Sequence, residues 1–195
     1  SGFLISPEGH VLTVWSYVLD TDYITVTLDD GRKFNGQLVG ADPRYEIAVL
    51  KIEADQLPYF SLHEVVELSP GDRVLTFSNL FGVAVGDEPT SVLHGCVAAL
   101  ADLDARRGAF ETNYRGPVYV LDAITNNPGA AGGVLTDRKG RLAGLLGKEL
   151  RSAQTNIWLN YAIPIQPLIA SVDDILAGKT LPRTIDDSTR KPAEP

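Results

Sequence analysis

Asn127-Pro128-Gly129-Ala130-Ala131-Gly132-Gly133-Val134-Leu135 is the stretch that decides how this chain is interpreted. Its last residues open a strand–turn–strand unit, in which Val134-Leu135-Thr136 is followed by a turn over residues 137–140 and by Leu142-Ala143. The beginning of the chain repeats this order, with Phe3-Leu4-Ile5-Ser6, then Pro7-Glu8-Gly9, then Val11-Leu12. Two such units at comparable places predict two similar β-barrels.

Alternating apolar and polar residues predict strands along most of the chain. Ile24, Val26 and Leu28 alternate with threonines, which is the period of two expected for a half-buried strand. The turn residues Asp29-Asp30-Gly31 predict a hairpin whose second strand covers residues 33–39. Further strands are predicted over residues 48–52, 73–77, 91–100 and 118–123. Only residues 165–176 space their apolar side chains as a helix does, and Gly178 follows as a stop signal.

The composition is that of an ordinary globular protein. The chain has 195 residues, of which 44% are hydrophobic and 22% are charged, so a sizeable core is available. The 25 acidic residues exceed the 17 basic residues and give a net charge of −8, which argues against a nucleic-acid partner. No apolar run reaches the roughly 20 residues that span a bilayer. Because Cys96 is the single cysteine, it forms no internal disulfide.

Three motifs resemble the trypsin-like serine protease family, in its bacterial HtrA/DegP-like branch. Residues 127–135 resemble the family's nucleophile loop, Asn-Pro-Gly-Asn-Ser-Gly-Gly-Pro-Leu. Residues 2–13 resemble the Gly-Phe-Ile-Ile…Gly-Tyr-Ile-Leu-Thr segment that precedes the catalytic histidine, and residues 42–52 resemble Asp-Pro-x-x-Asp-Leu-Ala-Val-Leu-Lys-Ile. The resemblance implies an all-β, chymotrypsin-like fold: two packed six-stranded antiparallel Greek-key β-barrels with a C-terminal α-helix.

All three catalytic positions of the family carry other residues in this chain. The resemblance places Ser16 at the histidine position, Glu46 at the aspartate position and Ala131 at the nucleophile position. A methyl group forms no acyl-enzyme, and a serine hydroxyl does not accept a proton near neutral pH. Glu46 has no imidazole to orient. The catalytic triad is therefore degenerate, and no catalytic residue is assigned.

The residues argue against two ways of rescuing catalysis. An engineered knockout would remove the nucleophile alone and would not also produce Ser16 and Glu46. Ser16 activated by Glu46 is a second possibility, but a carboxylate is a weak base for a hydroxyl unless burial raises its pKa. Ser16 is also expected on the wrong side of the cleft from the oxyanion loop.

The resemblance also implies a peptide cleft that needs no triad. Backbone N–H groups between Gly129 and Ala131 form the oxyanion loop, and the segment 144–147 pairs with an extended peptide in the family. Trp158 and Asn160 replace family glycines that keep the specificity pocket open, so their side chains are expected to narrow or plug it, although Trp158 alternatively packs outward. The expected cleft and oxyanion-loop residues are Gly129, Ala130, Ala131, Leu145, Leu146, Gly147, Trp158 and Asn160.

No metal site or cofactor is expected. His10, His63 and His94 lie far apart in the sequence, without the short spacing of metal ligands. His94-Gly95-Cys96 places two possible ligands on one face of a strand, but such a face more often belongs to a core.

The domain expectation is a protease-fold unit over residues 1–182 followed by a disordered, polar tail over residues 183–195. The unit contains barrels at about residues 1–80 and 90–164 and a helix at residues 165–177. The chain starts one strand later than the family's first barrel, so we expect a barrel edge that is unpaired or filled by another segment or molecule. The lack of methionine and of a signal peptide predicts excision from a longer precursor.

The sequence therefore predicts a pseudoprotease, a catalytically inactive HtrA-type homologue that binds peptides or acts as a regulatory scaffold. Expected partners are a peptide segment, a related active protease, or a PDZ-like domain of its own polypeptide, with a homo-oligomer as a further possibility. The family resemblance implies a periplasmic or otherwise extracytoplasmic location. The alternatives are an HtrA-type serine endopeptidase with unusual or residual activity and a purely structural module.

Overall fold

The computed structural model describes residues 1–80, 90–103, 105–107, 110–111, 114–152 and 156–179. The tail predicted over residues 183–195 lies outside the described residues. The described chain is mostly strand, with one α-helix near its end.

An open antiparallel sheet of five strands forms the first unit, in the order β1-β2-β5-β4-β3. Its strands are β1 (Gly2–Leu4), β2 (His10–Val14), β3 (Ile24–Thr27), β4 (Lys33–Asp42) and β5 (Ile47–Lys51). Among the described residues, β1 and β3 are terminal strands, so this unit is not the closed six-stranded barrel that the resemblance implied.

A closed six-stranded barrel forms the second unit, in the order β10-β15-β12-β11-β6-β7. Its strands are β6 (Arg73–Ser78), β7 (Ser91–Asp102), β10 (Pro117–Leu121), β11 (Val134–Asp137), β12 (Leu142–Leu146) and β15 (Tyr161–Pro164). We expected β6 in the first barrel, because it falls within residues 1–80. The strand β6 pairs instead with β7 and β11, so the second barrel begins earlier in the chain than expected.

A small four-stranded sheet, in the order β14-β13-β8-β9, accompanies the barrel. Its strands are β8 (Ala105–Arg107), β9 (Phe110–Glu111), β13 (Leu150–Ser152) and β14 (Trp158–Leu159). The predicted hairpin around residues 29–31 is confirmed, because β3 and β4 pair antiparallel on either side of it.

The C-terminal helix α1 (Gln166–Leu176) packs its apolar face against the protein. Leu168, Val172 and Ile175 are buried, and their spacing of four and three residues places them on one face. The helix contacts β4 and β5 of the first sheet although it follows the second barrel in the chain. It therefore ties the two units together.

A buried carboxylate anchors this helix to the first sheet. The Asp42 side chain is fully buried and accepts hydrogen bonds from Ser171 Oγ at 2.7 Å and from Arg44 Nε and Nη2 at 2.9 and 2.7 Å. Burial raises the pKa of Asp42, but the hydrogen bonds from Arg44 and Ser171 outweigh it, so the pKa lies below its ordinary 3.8. Asp42 is therefore an ionised group that holds sheet and helix together.

We expect Asp42→Asn to lower the free energy of unfolding at pH 7 by about 2 kcal/mol, because charge-assisted hydrogen bonds are lost. Because the pKa of Asp42 is lower in the folded state, its ionised form stabilises the fold at pH values above the unfolded pKa of 3.8. This stabilisation is lost as the pH falls through the folded pKa. The difference between variant and wild type should therefore shrink in acid. Urea unfolding followed by tryptophan fluorescence at several pH values measures it.

Asp30→Asn is the matched control for this experiment. Asp30 and Arg32 form an ion pair two residues apart, as Asp42 and Arg44 do, but the side chains of Asp30 and Arg32 are about half exposed (51% and 54%). The control should change stability little. Equal effects of the two substitutions would contradict the anchoring role of Asp42.

Candidate functional site

The loop over residues 127–133 is fastened to the second barrel through its backbone. Gly132 N–H donates to the Leu146 carbonyl at 2.9 Å, and Leu146 N–H donates to the Gly133 carbonyl at 2.8 Å. Gly129 and Gly132 have φ angles of +85° and +83°, which is the left-handed region that favours glycine. The glycines of the quoted stretch are thus required by the loop's conformation.

Ala131 lies in the main hydrophobic core of the protein. Its side chain is 3% exposed and belongs to a cluster that includes Phe3, Val134 and Leu145. Its neighbour Ala130 is also buried. Within the described part of the chain, the N–H groups of Gly129 and Ala131 have no hydrogen-bond acceptor. The loop therefore presents backbone donors but no nucleophile.

The positions that the resemblance assigned to histidine and aspartate lie together at the ends of β2 and β5, which are inner strands of the first sheet. Ser16 belongs to a short 3-10 helix, Trp15–Tyr17, which follows β2 directly. Trp15 N–H donates to the Glu46 carbonyl at 2.9 Å, so this helix is fixed beside Glu46. Ser16 Oγ is buried and has no hydrogen-bond partner among the described residues. In the part of the chain that the structure describes, neither an imidazole nor a carboxylate is hydrogen-bonded to this hydroxyl.

Lys148 faces the carboxylate at the position that the resemblance assigned to aspartate. Its Nζ lies 3.5 Å from Glu46 Oε2, and the side chains of Lys148 and Glu46 are only 16% and 11% exposed. This ion pair crosses from the second barrel to the first sheet and marks the cleft between the two units. The Glu46 carboxylate therefore faces an ammonium group rather than a histidine.

The loop and the first sheet meet in the same region. Thr13 Oγ1 donates to the Ser1 carbonyl at 2.6 Å, and Ser1 Oγ donates to the Gly129 carbonyl at 2.5 Å. We use "the cleft" for the region bounded by Ser16, Glu46, the loop 127–133 and Lys148. Trp15, the neighbour of Ser16, is bonded to Glu46, and Glu46 pairs with Lys148. The loop is bonded to Leu146, two residues before Lys148.

The segment after β12 carries unpaired backbone groups. In the described residues, no hydrogen bond is made by the Gly147 carbonyl or by the N–H and carbonyl of Lys148. Leu145 and Leu146 are fully buried, so their side chains are not available to a ligand. The Tyr161 ring fills the space where a Cβ on Gly147 would lie. Only backbone atoms of this segment can contact a peptide.

Asn160 and Trp158, which replace family glycines, point in different directions. The Asn160 Oδ1 accepts from the N–H groups of Thr125 and Asn126, both at 2.9 Å, so its side chain crosses to the loop before the quoted stretch. The Trp158 side chain is 46% exposed, and the Arg151 guanidinium lies 5.0 Å from its ring centroid. Of the two alternatives for Trp158, the exposed ring beside Arg151 favours the outward one.

Lys148, Thr125 and Asn126 were missed by sequence reasoning. Lys148 follows the segment 144–147 directly, and a charged residue at that place was a usable signal. Its partner Glu46 is 102 residues away, however, and sequence spacing does not show such a contact. Thr125 and Asn126 act through backbone N–H groups, which any residue carries.

The three histidines lie away from the cleft contacts. His10 Nδ1 is bonded to Ser6 Oγ at 2.8 Å in the first hairpin, and His63 is exposed. His94 lies on β7, where it pairs with Leu75 of β6. Across the described ranges, no three His, Cys, Asp or Glu side chains are grouped as metal ligands would be. The same ranges contain no helix long and apolar enough to cross a membrane.

Comparison with known proteins gives a consistent set of relatives. Residues 1–145 match the trypsin-like peptidase domain. The chain is 34% identical over 169 residues to a probable periplasmic serine endoprotease DegP-like of Pseudomonas putida (strain GB-1), covering 87% of this chain and 33% of that protein. A protein of the same name from Marinomonas sp. (strain MWYL1) is 33% identical over 175 residues, covering 90% and 35%. The chain thus spans about a third of the length of these relatives.

Solved structures show the same likeness in three dimensions. The HtrA-type protease AlgW with decapeptide superposes with a TM-score of 0.74 at 30% identity, covering 91% of this chain and 52% of that one. The apo MamO protease domain from Magnetospirillum magneticum has a TM-score of 0.69 at 23% identity, covering 87% and 86%. The second likeness supports the fold alone.

We expect Lys148→Met to lower the free energy of unfolding by about 1–3 kcal/mol, because the Glu46 carboxylate is left largely buried without its partner. Adding Glu46→Gln should recover part of this loss, since no unpaired charge then remains. Chemical unfolding of the two single variants and the double variant measures the coupling.

Lys179→Met is the control, because Lys179 pairs with Asp174 at 2.6 Å on the exposed surface. It should have little effect on stability. A coupling between Lys148 and Glu46 no larger than that of the surface pair would contradict the structural role assigned to the cleft pair.

Proposed function

Because the chain belongs to the trypsin-like peptidase family, we propose that it is a catalytically inactive, HtrA-type member whose cleft binds peptide segments without cutting them. The observation that carries this proposal is the coexistence, among the described residues, of unpaired backbone groups with a cleft in which no base is bonded to a nucleophile. Unpaired backbone groups suffice for peptide binding, whereas hydrolysis needs a base beside a nucleophile.

The inactivity rests on proton chemistry. A serine protease needs a hydroxyl at the loop and an imidazole that takes its proton, while a carboxylate orients that imidazole. Ala131 offers a buried methyl group, and Ser16 offers a hydroxyl with no described partner. The carboxylate of Glu46 is engaged by Lys148. What remains after triad loss in this class of enzyme is a residual acceleration of roughly 10³–10⁴-fold over water, which is too little for useful peptide hydrolysis.

The binding role rests on backbone groups, which no side-chain replacement removes. Gly147 and Lys148 offer two carbonyls and one N–H beside the cleft, and the loop offers the N–H groups of Gly129 and Ala131. An extended peptide laid along residues 147–148 pairs with such groups as an added antiparallel strand. The HtrA-type relative AlgW is known in structures with a decapeptide, which supports a peptide as ligand here.

The partner is a peptide or protein segment, and its source defines the biological role. We infer an extracytoplasmic location, because the relatives named above are periplasmic endoproteases. In that setting the segment comes from a related active protease in a mixed assembly, from a PDZ-like domain of the same polypeptide, or from another copy of this chain. The protein then regulates or scaffolds rather than degrades.

Restoring the nucleophile alone should not restore activity. We expect Ala131→Ser to show no labelling by a fluorophosphonate probe and no digestion of casein, because the new hydroxyl still has no base. The combined Ser16→His, Glu46→Asp and Ala131→Ser variant places all three groups and is expected to label. Labelling of the wild type at Ser16, or digestion of casein by it, would instead support a residual endopeptidase.

Extended peptides should bind the wild type by strand addition. A peptide that pairs as a strand presents alternate N–H groups to its partner. N-methylation at every second residue should therefore abolish binding when it blocks the N–H groups that face the protein. The opposite phase, methylated at the intervening residues, is the matched control and should bind as the parent peptide does. Fluorescence anisotropy measures both. Equal binding of the two methylated peptides, or none by the parent, would contradict strand addition.

A further inference from the structure

A groove lies at the end of the β11–β12 hairpin that is farther from the cleft. The strand β11 starts after the loop 127–133 and ends at Asp137, and β12 runs from Leu142 back towards Lys148. The groove opens between the turn of this hairpin and residues 66–68 and 71–73, and its volume is about 630 Å³. Sites for small molecules have volumes of roughly 300–1,000 Å³. We call it the hairpin groove; it is large enough for a small ligand and separate from the cleft.

Both walls of the hairpin groove are held by hydrogen bonds. Val66 N–H donates to the Leu142 carbonyl at 2.8 Å, which ties the first wall to the hairpin. The Asp137 carboxylate accepts from the N–H groups of Lys139 and Arg141 at 2.8 and 3.0 Å, which fixes the turn. The backbone of the two walls is therefore connected and held in one arrangement.

Four basic side chains line the hairpin groove: Arg73, Arg138, Lys139 and Arg141. The charge of Arg141 is balanced within the protein, because its Nε and Nη2 atoms each lie 2.7 Å from Asp137 Oδ2. Within the ranges that the structure describes, the side chains of the other three make no hydrogen bond or ion pair. All three are exposed to solvent. The groove thus presents three cations that are available to a ligand.

Two further carboxylates, those of Glu67 and Asp72, line the same groove. Asp72 Oδ2 accepts from Ser69 N–H at 2.8 Å, so the protein backbone already binds it. Three unpaired cations against two carboxylates leave a local excess of positive charge in a chain whose net charge is −8. Arginine and lysine side chains are donors without an acceptor, so the partner that suits them is an anion.

We propose that the hairpin groove binds a small polyanion, that is, a ligand with two or more carboxylate or phosphate groups. The guanidinium groups of Arg73 and Arg138 can donate to such oxyanions through a planar fork, and Lys139 adds a third cation. A monoanion is not sufficient, because a single exposed ion pair contributes little and several contacts are needed together. This inference is independent of the proposed peptide binding, since the groove and the cleft lie at different ends of the hairpin.

Isothermal titration calorimetry of the whole chain at low ionic strength tests the proposal with two polyanions, pyrophosphate and citrate. Acetate at equal ionic strength is the monoanionic comparison. We expect at least one polyanion to bind about tenfold more tightly than acetate, and its affinity to fall as sodium chloride is added. Binding of pyrophosphate alone would identify phosphate groups as the ligand chemistry, and binding of citrate alone would identify carboxylates.

Substitutions in the groove should change this affinity in both directions. Arg73→Gln and Lys139→Gln should each weaken binding of the polyanion about fivefold, because each removes one charged contact. Glu67→Gln should strengthen it about threefold, because an opposing carboxylate is removed. Lys33→Gln is the matched control, since Lys33 is an exposed lysine on β4 of the first sheet. It should change the affinity by less than about twofold.

The gain with Glu67→Gln separates a binding effect from a folding defect, because a misfolded variant does not bind more tightly. Losses with Arg73→Gln and Lys139→Gln, a gain with Glu67→Gln and no change with Lys33→Gln are the results that the structure predicts. Absence of binding by both polyanions would overturn the hairpin groove as an anion site. Equal losses in Arg73→Gln, Lys139→Gln and Lys33→Gln would overturn it as well, because they would show an effect of net charge alone.

Discussion

Backbone hydrogen bonds between the loop 127–133 and β12 hold the cleft in place without help from catalytic side chains. Gly132 donates to the Leu146 carbonyl, and Leu146 donates to the Gly133 carbonyl. These contacts depend on two glycines in the left-handed region and on the barrel behind them, not on the residue at position 131. The backbone conformation of the loop therefore does not depend on the side chain at position 131.

Two charged side chains in this region form ion pairs that connect separate parts of the chain. Asp42 accepts from Arg44 and Ser171 and joins the first sheet to α1. Glu46 and Lys148 form a second contact between the units at the cleft. Both pairs link an open five-stranded sheet to parts of the chain that follow it, which keeps the two walls of the cleft together although the first sheet is not closed.

The sequence predicted what depends on local pattern and on motif. Alternation and turn residues predicted the hairpin of β3 and β4, and helical spacing predicted α1, because these depend on neighbours in the chain. The assignment of Arg73–Ser78 to the first barrel failed, because strand partners are chosen by distant segments that the pattern of one strand does not identify. The positions compared with the family's catalytic triad came from motif alignment, but the ion pair between Lys148 and Glu46 could not be predicted from it.

Side-chain direction was the other quantity that the sequence did not contain. Trp158 and Asn160 both replace glycines in one short segment, yet one lies outward under Arg151 and the other is bonded to the backbone of residues 125 and 126.

The most direct test of the central claim is a crystal structure of the wild type soaked with an extended peptide. The account predicts an intact peptide antiparallel to residues 147–148, hydrogen-bonded to the Lys148 backbone. A cleaved peptide, or a covalent adduct on Ser16, would contradict it.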